Sequence, residues 1–244
     1  VYLSPDKRFI FVSYHIVEGE QYDVGETDAV GDFNDDEGLT KEAVMQIIHG
    51  RHVPDIQEEQ WRADSGKTGK RLAIEAQAAK LEQGEVFQAS KLHIVLGNIE
   101  SLYQDQGHAF VNVIPLTNPN PETLQVDVTY QIEMGEKVRI GRINITGNDP
   151  TFDKIVRREV MINEGEIYRG SLIRASRARL QRLGFFDEVN VSTPRGEGAD
   201  VLDLNIQVSE QPTGSFSLGM GYSNLESFVL TANVSKNNFL GLGY

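Results

Sequence analysis

Several short patterns in this chain carry residue types that could do chemistry, and spacing tests each of them. Ser65-Gly66-Lys67-Thr68 has the ending of a phosphate-binding loop. That loop also needs a glycine five residues earlier, so that backbone N–H groups can close round a phosphate. Trp61 stands there, and no nucleotide is expected. Asp32-x-Asn34-x-Asp36 begins like a calcium loop, whose sixth position turns on glycine and whose twelfth supplies a bidentate acid. Those places hold Glu37 and Ala43, so the stretch reads as a solvated acidic loop. His49 and His52 lie near Asp55, Glu58 and Glu59, donors of the right type for a divalent metal. Pro54 interrupts any helical face that would gather them, and a surface cluster is the favoured reading. A metal-dependent enzyme built on this stretch would instead hold stoichiometric metal at both histidines. No Ser, Thr or Lys stands beside a base in a nucleophile motif. With no cysteine, thiolate catalysis, disulfides and zinc–thiolate sites are excluded. The sequence therefore predicts a protein that is not an enzyme, with no cofactor and no metal.

Charge narrows the partners. A net charge of −13 opposes a phosphate-binding surface, so nucleic acid is not expected. At 39% hydrophobic residues the chain can bury ordinary cores, and no apolar run is long enough to cross a bilayer as a helix. The chain opens inside a strand pattern, Phe9-Ile10-Phe11-Val12, with no visible signal peptide. It is expected to be a piece of a longer mature protein.

The elements that must position any site come from a repeat. Val12-x-Tyr14-x-Ile16-x-x-Gly19-Glu20, Tyr22-x-Val24-Gly25 and Gly31 return 116 positions later as Val128-x-Tyr130-x-Ile132-x-x-Gly135-Glu136, Val138-x-Ile140-Gly141 and Gly147. Each copy alternates apolar and polar residues, breaks at Gly-Glu and resumes, which reads as strand, turn, strand. Leu202-x-Leu204-x-Ile206-x-Val208 repeats the first half, and Gln211-Pro212 stands where the turn should follow.

The last complete unit reads β-α-α-β-β. A strand is expected over 137–145, a helix capped by Thr151 and carrying Ile155, Val156, Val160 and Met161, a second helix over 170–183, and strands over 186–192 and 201–208. The preceding unit has strands over 22–30, 110–116 and 124–132 and a helix over 90–104. Its loop Gly84-Glu85-Val86-Phe87 corresponds to Gly165-Glu166-Ile167-Tyr168. Gly31 to Gly84 takes 53 steps where Gly147 to Gly165 takes 18, which places about 35 extra residues there. Segments 40–48 and 70–81 both look helical, and either could be the unit's first helix; the second is preferred because it leads into the shared loop.

After Pro212, Phe216, Leu218, Met220 and Tyr222 alternate with Ser and Gly, and Phe228, Leu230, Ala232 and Val234 alternate with Val, Thr and Asn. That is the signature of strands with one face in lipid or a core.

Tandem units of this order, ending in a glycine-rich amphipathic hairpin, resemble polypeptide-transport-associated (POTRA) domains of outer-membrane barrel assembly factors. The residues that carry the likeness are Gly147-Asn148-Asp149, Arg157-Arg158-Glu159, Leu180-x-x-Leu183-Gly184-Phe185-Phe186 and Thr213 to Tyr222. The resemblance implies an α+β fold: tandem β-α-α-β-β domains, each a three-stranded mixed sheet with two helices on one face, then a truncated β-barrel hairpin. Residues 1–19 would end a preceding domain, 20–134 would form a domain with an insertion near 33–68, 135–212 the last domain, and 213–244 the first two barrel strands.

An open sheet edge offers unpaired N–H and C=O groups to any extended chain. The candidate edges are Phe110, Val111, Asn112, Val113 and Ile114, and Val189, Asn190 and Val191, each followed by a proline that limits pairing. By resemblance the partners would be unfolded outer-membrane proteins, lipoprotein subunits of the assembly complex docking at Arg157, Arg158 and Glu159, and outer-membrane lipid through the barrel. Phe216, Leu218, Met220 and Tyr222 would form the barrel seam. The basic run Arg174, Arg177, Arg179 and Arg182 is either part of such a surface or a solvated face. The implied location is the outer membrane of a Gram-negative bacterium, with the tandem domains in the periplasm. The alternative is a related outer-membrane transporter that secretes a polypeptide.

Overall fold

The computed structural model describes residues 2–3, 10–11, 19–50, 80–223, 227–238 and 241–242. Two short strands, β1 (Tyr2–Leu3) and β2 (Ile10–Phe11), pair antiparallel. The first copy of the repeat's leading strand, at 12–18, and the expected end of a preceding domain lie largely outside the described residues.

The first unit comprises β3 (Asp23–Gly31), α1 (Lys41–Ile48), α2 (Ala89–Asp105), β4 (Asn112–Asn120) and β5 (Gln125–Glu133). Its sheet runs β3-β5-β4, with β3 parallel and β4 antiparallel to the central strand. The second comprises β6 (Arg139–Thr146), α3 (Asp153–Arg157), α4 (Gly170–Arg182), β7 (Phe186–Ser192) and β8 (Val201–Glu210), with sheet order β6-β8-β7 and the same directions. A hairpin of β9 (Gly214–Ser223) and β10 (Ser227–Lys236) follows. The expected α+β order is thus present twice.

Alternation explains why the central strands are central. Val126, Val128, Tyr130 and Ile132 of β5 are buried and pack in one core with their unit's helices, as do Leu204, Ile206 and Val208 of β8; Leu202 is buried beside that second core. Helix α2 turns Leu92, Val95, Ile99 and Tyr103 onto the sheet at spacings of three and four, the helical period. Each such buried side chain contributes about 1.5–3 kcal/mol of apolar burial.

Three expectations change. Thr151 does not cap the helix after β6: Phe152 occupies the cap position without a side-chain bond, and α3 ends at Arg157, short of Val160 and Met161. β4 begins at Asn112, so Phe110 and Val111 precede it, and it runs through Pro115 and Pro119 to Asn120. An edge strand tolerates proline where the missing N–H would face solvent. Finally, the stretch expected to be inserted near 33–68 divides. Residues 33–50 belong to the first unit, with Leu39, Val44, Ile47 and Ile48 in its core and Thr40 Oγ1 capping α1 by accepting from Ala43 N at 3.0 Å. Residues 51–68, and most of the expected helix at 70–81, lie outside the described residues. Leu81, fully buried, enters the core at the place Ile162 takes in the second unit.

Candidate functional site

Each three-stranded sheet has two edges, and the hydrogen-bonding groups along them are disposed of very differently. Consider β6. Its outward-facing Ile140 donates to Glu166 O at 2.8 Å and accepts from Gly165 N at 2.7 Å, while Val138 O accepts from Tyr168 N at 3.0 Å. The shared Gly-Glu loop therefore lies along the strand as a short extra pairing segment. Beyond it the register shifts between Ile140 and Ile143. Ile143 N donates to Glu164 Oε1 at 2.8 Å, and Ile143 O accepts from Arg157 Nη2 at 3.3 Å.

The first unit repeats this on β3. Val24 N donates to Glu85 O at 2.7 Å, Val24 O accepts from Gly84 N at 2.8 Å, and Tyr22 O accepts from Phe87 N at 2.9 Å. After a shift between Val24 and Thr27, Ala29 N donates to Asp28 Oδ1 at 2.8 Å. The Lys41 ammonium, bonded to Asp28, and the Ala29 N–H hold that carboxyl below its ordinary range.

On the opposite edges stand β4 and β7, the strands expected to recruit extended chain. Pro115 and Pro119 remove two N–H groups from β4. β7 contains no proline. Asp203 N donates to Pro194 O at 2.9 Å, which sets even-numbered residues toward β8 and turns Val189 and Val191 main-chain groups outward. Among the described residues no loop or side chain caps them. Asn112, Ile114 and Asn190 are exposed, whereas Val111, Val113 and Val189 are buried and Val191 half-buried. Phe110, half-exposed, lies under the Arg195 guanidinium at 5.5 Å.

The expected partner residues sit at the end of α3. Arg158 Nε bonds Glu159 Oε1 at 3.0 Å, and Arg179 Nε meets Glu159 Oε2 at 3.3 Å, leaving the Glu159 side chain 15% exposed. Arg157 bonds Asp153 Oδ2 at 3.2 Å. Arg174 bonds Gln104 Oε1 and Ser101 Oγ, both at 3.2 Å, so it ties the two units together. The basic run is thus not a uniform solvated face.

In the hairpin, Phe216 pairs with Val234, Leu218 with Ala232 and Met220 with Leu230, which places these apolar residues on one face, and Tyr222 is in register with Phe228. Met220 and Phe228 are 82% and 80% exposed. A row of this kind calls for lipid or further strands. No helix among the described residues is long and apolar enough to cross a membrane, which says nothing about strands.

Of the chemical patterns, Asn34 to Leu39 forms a closed turn bridged by Asn34 N and Leu39 O at 2.9 Å, with a 3-10 turn at Asp35–Glu37. His49 borders a shallow open depression beside Glu26, Asp28 and Gln83. No group of three or more metal-donor side chains occurs among the described residues. His52, Asp55, Glu58, Glu59 and the Ser65-Gly66-Lys67-Thr68 pattern lie outside them.

The model of the POTRA family, described as a surface antigen variable number repeat, matches residues 70–135 and 138–211. The chain belongs to the POTRA family. It is similar to the outer membrane protein assembly factor BamA of Neorickettsia risticii (strain Illinois), at 35% identity over 162 residues covering 66% of this chain and 22% of that protein. The BamA of Neisseria meningitidis serogroup B (strain ATCC BAA-335 / MC58) is 31% identical over 218 residues, covering 87% of this chain and 26% of that protein. Thus the chain spans about a quarter of the length of these curated relatives. The crystal structure of BamA from Haemophilus ducreyi lacking POTRA domains 1–3 has the same fold, with a TM-score of 0.62 at 23% identity, over 91% of this chain and 36% of that one. This is a BamA-like POTRA region, of a family that is non-enzymatic.

Other residues that organise the POTRA pair were not singled out by sequence. Asp127 Oδ1 accepts from Glu26 N and Asp203 Oδ1 from Arg142 N, both at 2.8 Å, fastening the bulge of each first strand. A Cβ on Gly25 or Gly141 would collide with these carboxylates, so glycine there is what lets the carboxylate reach the bulge. The signal was available: Gly25 and Gly141 belong to the repeat, and the acids occur at the same place in both central strands. At the junction, Glu37 binds Lys137 Nζ at 2.9 Å and His108 Nε2 at 3.1 Å, while His108 Nδ1 lies 3.0 Å from Gly135 O. Asp105 Oδ1 accepts from Ser171 N at 2.8 Å, placing a carboxylate at the start of α4. Thr151, freed from capping, is buried; its Oγ1 accepts from Asn238 Nδ2 at 2.6 Å, and Phe152 N donates to Gly241 O at 3.2 Å. The segment after β10 is thereby latched onto the second POTRA unit.

Proposed function

We propose that this POTRA pair is the periplasmic part of an outer-membrane β-barrel assembly factor in a Gram-negative bacterium, and that it binds unfolded outer-membrane proteins by strand addition. The observation that carries this reading is an uncapped edge, β7, on a POTRA unit that leads directly into an exposed amphipathic hairpin. Main-chain pairing gives affinity that depends little on guest sequence, as a factor serving many clients requires. β4, from Asn112 through Ile114, is the second edge for such pairing, and Phe110 and Val111 flank it. The hairpin face of Phe216, Leu218, Met220 and Tyr222 is the start of a barrel seam that meets lipid. Arg157, Arg158 and Glu159 form the surface where a lipoprotein subunit docks. No nucleotide is needed, because burial of a client's apolar face in the membrane can supply the driving force.

The test is photo-crosslinking in cells, with a photoreactive residue at Asn190 of the full-length protein. Adducts with newly made outer-membrane proteins are expected. Adducts no more abundant than with the same residue at exposed Glu122 would refute client binding at this edge. For the docking surface, Glu159→Gln is expected to lower recovery of the lipoprotein while the melting temperature moves little, since partly exposed ion pairs are worth under about 1 kcal/mol. Glu159→Lys is the poorer probe, because its ammonium would face Arg158 and Arg179.

A further inference from the structure

We infer that each POTRA unit closes its first-strand edge to strand addition with its own loop and side chains, so that a guest strand is admitted at β7 and excluded from β6. This rests on the strand-addition reading above and specifies which edge performs it.

The inference follows from counting outward-facing groups along β6. A guest strand pairs by exchanging hydrogen bonds with every second residue of its host. The residues so placed are Val138, Ile140, then Ile143 and Ile145 after the bulge; all but Ile145, at the far end of the strand, are capped. Val138 offers its carbonyl to Tyr168, Ile140 has both groups taken by the loop, and Ile143 has its N–H taken by Glu164 and its carbonyl by Arg157. A guest would have to displace three loop hydrogen bonds and two charge-assisted bonds before making its own, and charge-assisted bonds are the stronger kind. The bulge adds a geometric obstacle, because outward residues change from even-numbered to odd-numbered across it. A straight strand can follow the register on only one side of that change, so beyond the bulge it would have to start at Ile143.

A similar closure occurs on β3, where the Gly84 to Phe87 loop takes the carbonyl of Tyr22 and both groups of Val24, and the Asp28 carboxylate takes the N–H of Ala29, while Thr27, the counterpart of Ile143, carries no such cap among the described residues. That it occurs twice, with the same loop and the same bulge, argues against accident. Natural sheets manage exposed edges with bulges, inward charges and covering loops. β4 is left partly competent, with N–H groups missing at Pro115 and Pro119. β7 retains Val189 and Val191 with both groups outward and uncapped among the described residues. The asymmetry assigns Glu164 as the residue that sets edge choice in the second unit.

The experiment uses this chain and a synthetic peptide with the sequence of residues 214–223, an amphipathic barrel-type strand. A photoreactive residue is placed at Asn144 on β6 or at Asn190 on β7, both exposed. In the parent protein, labelling is expected at Asn190 and not at Asn144. In Glu164→Ala, labelling is expected to appear at Asn144 with Asn190 unchanged, and Glu164→Gln, whose amide oxygen can still accept from Ile143, is expected to keep Asn144 dark. Equal labelling of both edges in the parent overturns the closure while leaving strand addition standing. Labelling at neither edge in the parent, with Asn144 labelled in Glu164→Ala, sinks the β7 reading and supports the closure. Should all variants stay unlabelled, both ideas fail. If Glu164→Ala does not fold, hydrogen exchange on the parent decides: the Ile143 amide is expected to exchange at least about tenfold more slowly than that of Val191. Equal rates overturn the closure.

Discussion

Tyr130 shows how a repeat can expose an expendable atom. Its ring fills the first core, fully buried, yet its hydroxyl is the buried side-chain polar atom left without a partner among the described residues, and burial pushes the phenol well above its ordinary range. The second unit places Ile206 in the corresponding position, so the fold does not need the oxygen. Tyr130→Phe is expected to raise stability by about 1 kcal/mol, a shift of a few degrees in melting temperature by thermal denaturation. A lower melting temperature would mean that the hydroxyl is satisfied in a way the geometry does not reveal. Tyr130 itself was legible in the sequence as a core position, because alternation is local and decides which face each residue takes. Its missing partner was not, since satisfaction of a polar atom depends on residues from other elements.

Helix caps and strand ends divide along the same line. The helix at 170–182 and the strand at 186–192 were readable to within a residue, because helical spacing and strand alternation are local signals. Thr151 does not cap for a physical reason: the helix starts at Asp153 and leaves Phe152 in the cap position, so the threonine hydroxyl instead accepts from Asn238, 87 positions away. The strand β4 outlasted its prolines because it lies at an edge. Of the candidate site, the open edges could be named from the sequence, while their guards could not, since Glu164 and Arg157 become guards only once Ile143 is brought beside them. The latch yields its own prediction. Thr151→Val keeps the shape and removes the acceptor for the Asn238 amide, and it is expected to cost about 1 kcal/mol and to speed hydrogen exchange at Phe152 N. Unchanged exchange there would show that the segment after β10 is held by other contacts.

The two units are joined by charged groups whose ionisation sets how firmly they hold. The Glu37 carboxyl is kept below its ordinary value of 4.5 chiefly by the Lys137 ammonium and further by His108, against an opposing effect of burial. Because the folded state lowers this pKa, the associated stability is present above about pH 4.5 and is lost as pH falls through the folded value. Glu37→Gln is therefore expected to lower the melting temperature at pH 7, by an amount that shrinks as pH falls below about 4.5. A deficit that does not change with pH would assign the loss to packing and not to charge. The remaining consequence concerns chain growth. Leu81 N donates to Ile48 O at 3.0 Å, and a Cβ on Gly50 would lie 2.9 Å from that of Lys80. The described chain leaves the first unit at Gly50 and returns at Lys80 through practically one point, so a change in length between those two residues need not alter the spacing of the layers on either side, and an engineer could seat a reporter domain at the same doorway.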